Sequence, residues 1–331
     1  MGIEIGLLVG WLLTATDVPS SPHIEKHLTP DVERAIDRGL EFLAKQQKKK
    51  GSIGDPPVAS TGIALLAFLA NGHLPGKGLY GQTVERGVKF LLDVQHPYTG
   101  MLGSSMYEHG FALLALADVW GEMKDDEQRL QDGIERAVEL ALSSQKMNPT
   151  GGWHYSPQMQ SADISVTSAV LQAMRASREA FFEVPETTMQ RAAAFVLSCA
   201  NKDGGFAYTP SGGAGGSNVA RTGIGVLSLL ACGQSQRPEV LRGVAWLKKH
   251  PQLSEMPSYA SYYAVLAMYQ ARTLAGESAW NEWYPKIQAQ ILKAQKKNGS
   301  FQGGLAGPEV DSGLMLIALS IQKGLLPLFQ R

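Results

Sequence analysis

Six short segments of this chain repeat one pattern: Thr, His or Ser, then apolar residues, with Ala or Ser six places on. They begin at Thr61, His109, Thr167, Thr222, Ser261 and Ser312, at intervals of about 40 to 60 residues. That is the period of a repeat architecture, in which each unit is one supersecondary element that buries its apolar face only against its neighbours. A second helix precedes each segment. Arg38-Gly39-x-x-Phe42-Leu43 leads to Gln47, Arg86-Gly87-x-x-Phe90-Leu91 to Gln95, and Arg136-Ala137-x-x-Leu140-Ala141 to Gln145. Arg191 and Arg242 open the same spacing, and the last unit keeps Ile291, Leu292 and Gln295. In this second helix the apolar residues lie on one stripe, as in Val84, Val88, Leu91 and Leu92, which leaves Glu85, Lys89 and Asp93 for the other faces.

The two helices of a unit differ in kind. The upstream helix is polar on one face, whereas Leu113 to Ala117 and Leu314 to Leu319 are apolar all round and must be buried. Glycine turns join them at Gly51, Gly100, Gly151-Gly152, Gly204-Gly205 and Gly299, most with an aromatic or other apolar residue just behind. No segment shows sustained strand alternation with hairpin turns. The pattern predicts an all-α fold, an (α/α)6 toroid or barrel of six helix pairs with apolar helices inside and amphipathic ones outside. An open solenoid would need polar capping repeats at its ends, and none is evident. Residues 31–331 are expected to form this single domain, preceded by an apolar segment and linker over residues 1–30.

Thirty basic residues balance thirty acidic ones, which argues against a nucleic-acid partner. Cys199 and Cys232 form no Cys-x-x-Cys pair, and Cys199 reads as a small core residue. His154 and the other histidines lack metal-ligand spacing, and Ser211 to Ser217 lacks the Gly-Lys-Ser/Thr ending of a phosphate loop. No cofactor and no metal are expected. Ile5 to Thr14 is an apolar run short for a bilayer span. It resembles the apolar part of a secretory signal, although no Lys or Arg precedes it and Glu4 stands beside it. Export or attachment to a membrane surface is therefore favoured over a cytoplasmic location.

The string Arg-Gly-x-x-Phe-Leu-x-x-x-Gln-x-x-x-Gly-x-aromatic resembles the QW repeat of squalene-hopene and oxidosqualene cyclases. Residues 38–53 fit it with Ile53 in the aromatic place, and residues 286–301 fit its second half. Met106-Tyr-Glu-His-Gly-Phe-Ala and Ala162-Asp-Ile-Ser-Val-Thr also resemble a bacterial branch of squalene cyclase-like proteins. The resemblance, from Asp31 onward, implies the toroid and a terpenoid setting. It is shared with protein prenyltransferase β-subunits and complement-like toroids, so it specifies chemistry weakly. A class II cyclase draws its proton from the middle Asp of Asp-x-Asp-Asp-Thr. Aligned on Thr167, that motif falls on Asp163-Ile164-Ser165-Val166: the first carboxylate is kept, and Ser165 stands where the donor should be. Intact squalene cyclase activity is not expected. As an enzyme the chain would be an isomerase, lyase or transferase acting on an isoprenoid, with Asp163 the candidate catalytic group or else a helix cap. The Asp-x-Cys of a prenyltransferase zinc site and the Cys-Gly-Glu-Gln of a thioester toroid are absent.

The toroid predicts where a ligand would sit. The aligned residues open the inner helices, so the positions just before them share one rim. Those positions carry Glu108, Arg221 and Asp311, with His109 beside them, and one step further back Tyr107, Ser165 and Tyr259. Tyr155 and Tyr208 follow the turn aromatics Trp153 and Phe206, offset to face the opening. Glu108, Arg221 and Asp311 are expected either to pair or to hold a polar head group. The expected partner is an apolar small molecule, in a closed apolar cavity. The alternatives are a non-enzymatic interaction scaffold, or a polysaccharide-processing barrel with an open cleft, paired acids and stacked aromatics.

Overall fold

The computed structural model describes residues 27–326, apart from 211–214, 254 and 305, and the side chain of Asp125. The apolar run from Ile5 to Thr14 and most of the linker after it lie outside the described residues. Within them the chain is helical, and its only β pairing consists of isolated bridges at Gln47–Ile53, Ala200–Phe206 and Gln295–Phe301. These bridges close three of the glycine turns.

The outer helices are α1 (Pro30–Lys45), α3 (Gly81–Val94), α5 (Glu127–Met147), α7 (Glu186–Ser198), α9 (Pro238–Lys249) and α12 (Glu277–Lys293). The inner ones are α2 (Pro57–Leu69), α4 (Met106–Asp118), α6 (Ile164–Glu179), α8 (Val219–Ala231), α10 (Pro257–Gln270) and α13 (Pro308–Ser320). A one-turn helix, α11 (Arg272–Ala275), intervenes between α10 and α12. Each inner helix packs on the next, and α13 returns to pack on α2, so the ring is closed. The two layers follow the two hydrophobic patterns. In α2 every residue from Val58 to Leu69 is buried, whereas α1 buries a stripe that includes Val32, Ile36, Leu40 and Leu43.

The repeated polar residues are fasteners. At the head of five inner helices the aligned side chain accepts a hydrogen bond from the backbone N–H behind the glycine turn. Thr61 takes Ile53 (2.9 Å), His109 takes Leu102 (3.2 Å), Thr167 takes Trp153 (3.0 Å), Thr222 takes Phe206 (3.3 Å) and Ser312 takes Phe301 (2.9 Å). The repeat glutamines join neighbouring units. Gln47 Nε2 donates to Gly51 O and to Thr83 O of α3, Gln95 Nε2 to Gly100 O and Gly133 O, and Gln145 Nε2 to Gly151 O and Thr188 O. Gln295 Nε2 donates to Gly299 O and, at 2.7 Å, to Ala35 O of α1, which fastens the last unit to the first. Gln145 is buried, and removing its amide takes one hydrogen bond from each of two backbone carbonyls. Gln145→Ala is therefore expected to lower unfolding free energy by about 1–3 kcal/mol in a denaturant titration, against about 0.5 kcal/mol or less for an exposed control such as Gln190→Ala.

The centre of the ring is filled. Helices α4 and α10 stand opposite each other, yet the Tyr107 and Tyr259 rings lie 6.3 Å apart and the Phe111 and Tyr262 rings 5.9 Å apart. Tyr263 packs edge-on against both Tyr259 and Tyr262 at 4.8 Å. Side chains from opposite walls thus meet on the axis at ordinary aromatic spacing. The closed apolar cavity expected from the sequence is replaced by an aromatic plug with an open pocket above it.

Candidate functional site

Above the plug, where the inner helices begin, lies a half-open cavity of about 310 Å³. Five inner helices contribute to it: Ala59 and Ile63 from α2, Tyr107 and Glu108 from α4, Ser165 from α6, Tyr259 from α10 and Val310 from α13. Local sequence sets these first turns. Prolines begin α2, α10 and α13, where a missing N–H costs nothing. Ser105 and Asp163 cap α4 and α6 through their side chains. Two loops complete the wall. Tyr155 O accepts from Met106 N at 2.8 Å and Tyr208 O accepts from Ile164 N at 3.0 Å, which holds both tyrosines over the opening.

Of the sequence candidates, Tyr107, Glu108, Tyr155, Ser165, Tyr208 and Tyr259 are thus brought to one cavity, and four are not. Asp163 stands just behind the wall. Its Oδ1 accepts from Ser165 N and Val166 N, both at 2.9 Å, while Oδ2 is buried beside Tyr208 without an aligned partner. Burial raises its carboxyl above the ordinary value, against the pull of those N–H groups and of His154. It does not line the cavity itself, but its neighbours Ser165 and Tyr208 do. His109 is a buried fastener between Leu102 N and Ala137 O. Arg221 turns back to Gly216 O at 2.8 Å. Asp311 is buried, accepting from Gly303 N, Gly304 N and Ser258 Oγ. Glu108 accepts from Ser104 N and Oγ. The expected pairing of Glu108, Arg221 and Asp311 does not form; backbone amides and serines satisfy the acids instead.

The cavity floor is a cluster of hydroxyls. Tyr259 has Ser165, Tyr107 and Tyr263 as its polar neighbours, yet the Tyr107, Tyr259 and Tyr263 hydroxyls are buried and none has an aligned hydrogen bond. Burial pushes the Tyr259 phenol up to about 12, so it is a neutral donor at physiological pH. Phenols of this kind take an acceptor oxygen and are poor proton sources for an alkene. Tyr262, Tyr263, Ser168 and Gln172 were not anticipated. For Ser168 and Gln172 a signal is present in the sequence: Ser165, Ser168, Gln172, Arg175 and Glu179 form a polar stripe at helical spacing along α6, whose first four members are buried.

Residues 118–264 match the squalene-hopene cyclase C-terminal domain, and residues 251–328 match the prenyltransferase alpha-alpha toroid domain. Over those two stretches the chain is similar to squalene-hopene cyclase and prenyltransferase domains, and its fold is an α/α toroid. No curated protein matches it. Among solved structures it is similar to the type II terpene cyclase MstE from Scytonema, with 15% identity and a TM-score of 0.62 over 90% of this chain and 100% of that one. A variant of MstE in complex with its substrate, geranylgeranyl dihydroxybenzoate, aligns with 13% identity and a TM-score of 0.61 over 92% and 99% of the two chains. The α-1,6-mannanase of Salegentibacter sp. HEL1_6 is as similar in shape, at 9% identity and a TM-score of 0.65 over 88% and 99%. At these identities the likeness concerns the fold. The toroid carries both terpenoid and carbohydrate chemistry, and the cavity has to decide between them.

Proposed function

We propose that this squalene cyclase-like toroid binds a neutral, largely apolar molecule of the isoprenoid class, tail outward, with an oxygen function against the hydroxyl floor. The observation that carries this reading is the lining. Ala59, Ile63, Met256 and Val310 are apolar, the tyrosines offer rings and neutral donors, and no Lys, Arg or His lines the cavity among the described residues. A diphosphate head would be left without a counter-charge beside the Glu108 carboxylate. A polysaccharide site of the expected kind would need paired acids, whereas Glu108 is the one carboxylate in this wall and is held within its own loop. The terpenoid substrate bound by MstE supports the same class. With Ser165 in the donor place, the activity is retention or presentation of the ligand rather than cyclisation.

The test is binding of farnesol against farnesyl diphosphate, with mass spectrometry of lipids extracted from the purified protein. Farnesol is expected to bind saturably, at least about tenfold more tightly than the diphosphate. Ala59→Phe, which fills the cavity, should abolish it, and Tyr259→Phe should weaken it by about 1 kcal/mol, the scale of one neutral hydrogen bond. Equal binding by wild type and Ala59→Phe, or preference for the diphosphate, would sink the proposal.

A further inference from the structure

A second recessed region lies at the opposite end of the ring, where α4 and α6 terminate. From Tyr107 to Asp118 along α4 is about 16 Å at 1.5 Å per residue, so this region is separate from the mouth cavity. Two hollows of about 480 Å³ and 330 Å³ adjoin here and share Trp120, Ala180 and Phe181. Their walls are aromatic: Trp120 meets Phe182 edge-on at 5.2 Å, and Phe181 stands beside them 96% exposed. Phe181 takes the left-handed backbone after α6, with φ of 69°, a place where glycine is the usual choice. A strained and solvated phenylalanine gains nothing for folding, so a role outside packing is indicated.

The charged lining is of one sign, and one member of it, Glu179, is paired with Arg175 at 2.7 Å. Glu135, Glu139 and Glu183 line the larger hollow, Asp118 and Glu179 the smaller, and no Lys, Arg or His lines either among the described residues. Asp118 supplies the independent observation. Its Oδ2 is buried at the wall of the smaller hollow with no hydrogen-bond partner, an arrangement that ordinarily carries a penalty. The ends of α4 and α6 add the negative pole of their helix dipoles. Among the described residues no three acids, imidazoles or thiols stand close enough to share a metal ion, so the complement is a bulky cation.

We propose that these hollows bind a small quaternary ammonium ligand, its head set against Trp120, Phe181 and Phe182 and its charge answered by Asp118 and the surrounding glutamates. Rings give such a head its quadrupole attraction, and the carboxylates give it sign selectivity. Binding is expected to follow pH. Burial and Glu179 hold the Asp118 carboxyl up to about 8, opposed by Arg175, with Tyr262 of α10 also facing it. A cation favours the ionised form, so affinity rises as pH is raised through about 8.

The probe is choline, titrated calorimetrically into the whole protein beside its uncharged isostere 3,3-dimethylbutan-1-ol. Choline is expected to saturate at least about tenfold below the isostere, as a sign-selective site requires. Asp118→Asn should weaken choline by a similar factor and flatten its pH dependence. Phe181→Ala, at an exposed position that does not bear on folding, should weaken it about threefold. Lack of saturation, equal affinity for the two probes, or unchanged binding in both variants would overturn the proposal.

Discussion

Gly299→Ala is expected to destabilise the protein by roughly 3 kcal/mol or more. Two effects add. Gly299 has φ of 91°, a conformation that an L side chain adopts at about 1–3 kcal/mol. A Cβ there would also lie 2.3 Å from Arg38 O, and a backbone carbonyl cannot swing aside as a side chain can. Moving it would disturb the neighbouring Gln295–Ala35 bond and the two bonds from Arg38 Nη2 to Lys296 O and Lys297 O. These are the fasteners between the sixth unit and the first. Gly100 makes the same approach within the chain, its Cβ falling 2.4 Å from Arg136 O. In a closed ring Gly299→Ala and Gly100→Ala should cost alike. Gly233→Ala, at φ of 69° with nothing near its Cβ, should cost only about 1 kcal/mol. Were the chain an open solenoid, Gly299→Ala would behave like Gly233→Ala. Denaturant unfolding of the three variants decides between the two.

The closed ring was legible because burial has to be satisfied twice in each unit. A helix apolar all round, such as α2, needs neighbours on every side, and a striped helix such as α1 needs one; six of each meet both needs only in two concentric layers. What the glutamines do was not legible. Gln145 reaches Thr188 O and Gln295 reaches Ala35 O, and the acceptors are backbone carbonyls, which leave no mark on a sequence.

Register found the mouth cavity and also misled. Positions just ahead of each aligned residue share a rim, and Tyr107, Ser165 and Tyr259 do line one cavity. The same logic placed Arg221 and Asp311 with them, but side chains at one register can turn different ways. Asp311 turns to the Gly303–Gly304 amides, and Arg221 to the glycine loop ahead of α8. The plug escaped notice because nothing in one helix tells how far a tyrosine reaches across the lumen. The aromatic hollows at the far end are built from helix C-termini, where the repeat carries no shared motif.

Acid should act on this protein through His109, and the expected size is about 3 kcal/mol. Its Nδ1 accepts from Leu102 N, so Nε2 carries the proton and donates to Ala137 O at 3.1 Å. A second proton would desolvate a charge and set Nδ1–H against the Leu102 N–H. Burial accordingly lowers its pKa to about 4 from 6.5, with the Ala137 carbonyl working the other way. Between those values the unfolded chain binds a proton that the folded one refuses. The stability held by neutral His109 is therefore complete above about pH 6.5 and is lost as pH falls toward 4. Asp118 works in the opposite sense: its raised pKa favours the folded state progressively as pH falls from 8 toward 4. The wild-type profile alone would mix the two, so the comparison must be with His109→Gln, which keeps an acceptor for Leu102 N and leaves Asp118 untouched. Near pH 7.5 the wild type should be the more stable. By pH 4 that margin should have moved against it by about 3 kcal/mol, the 2.5-unit difference at 1.36 kcal/mol per unit. A margin independent of pH would mean that the imidazole is solvated in the folded protein, and that the fastening of α4 to its turn is not the one described.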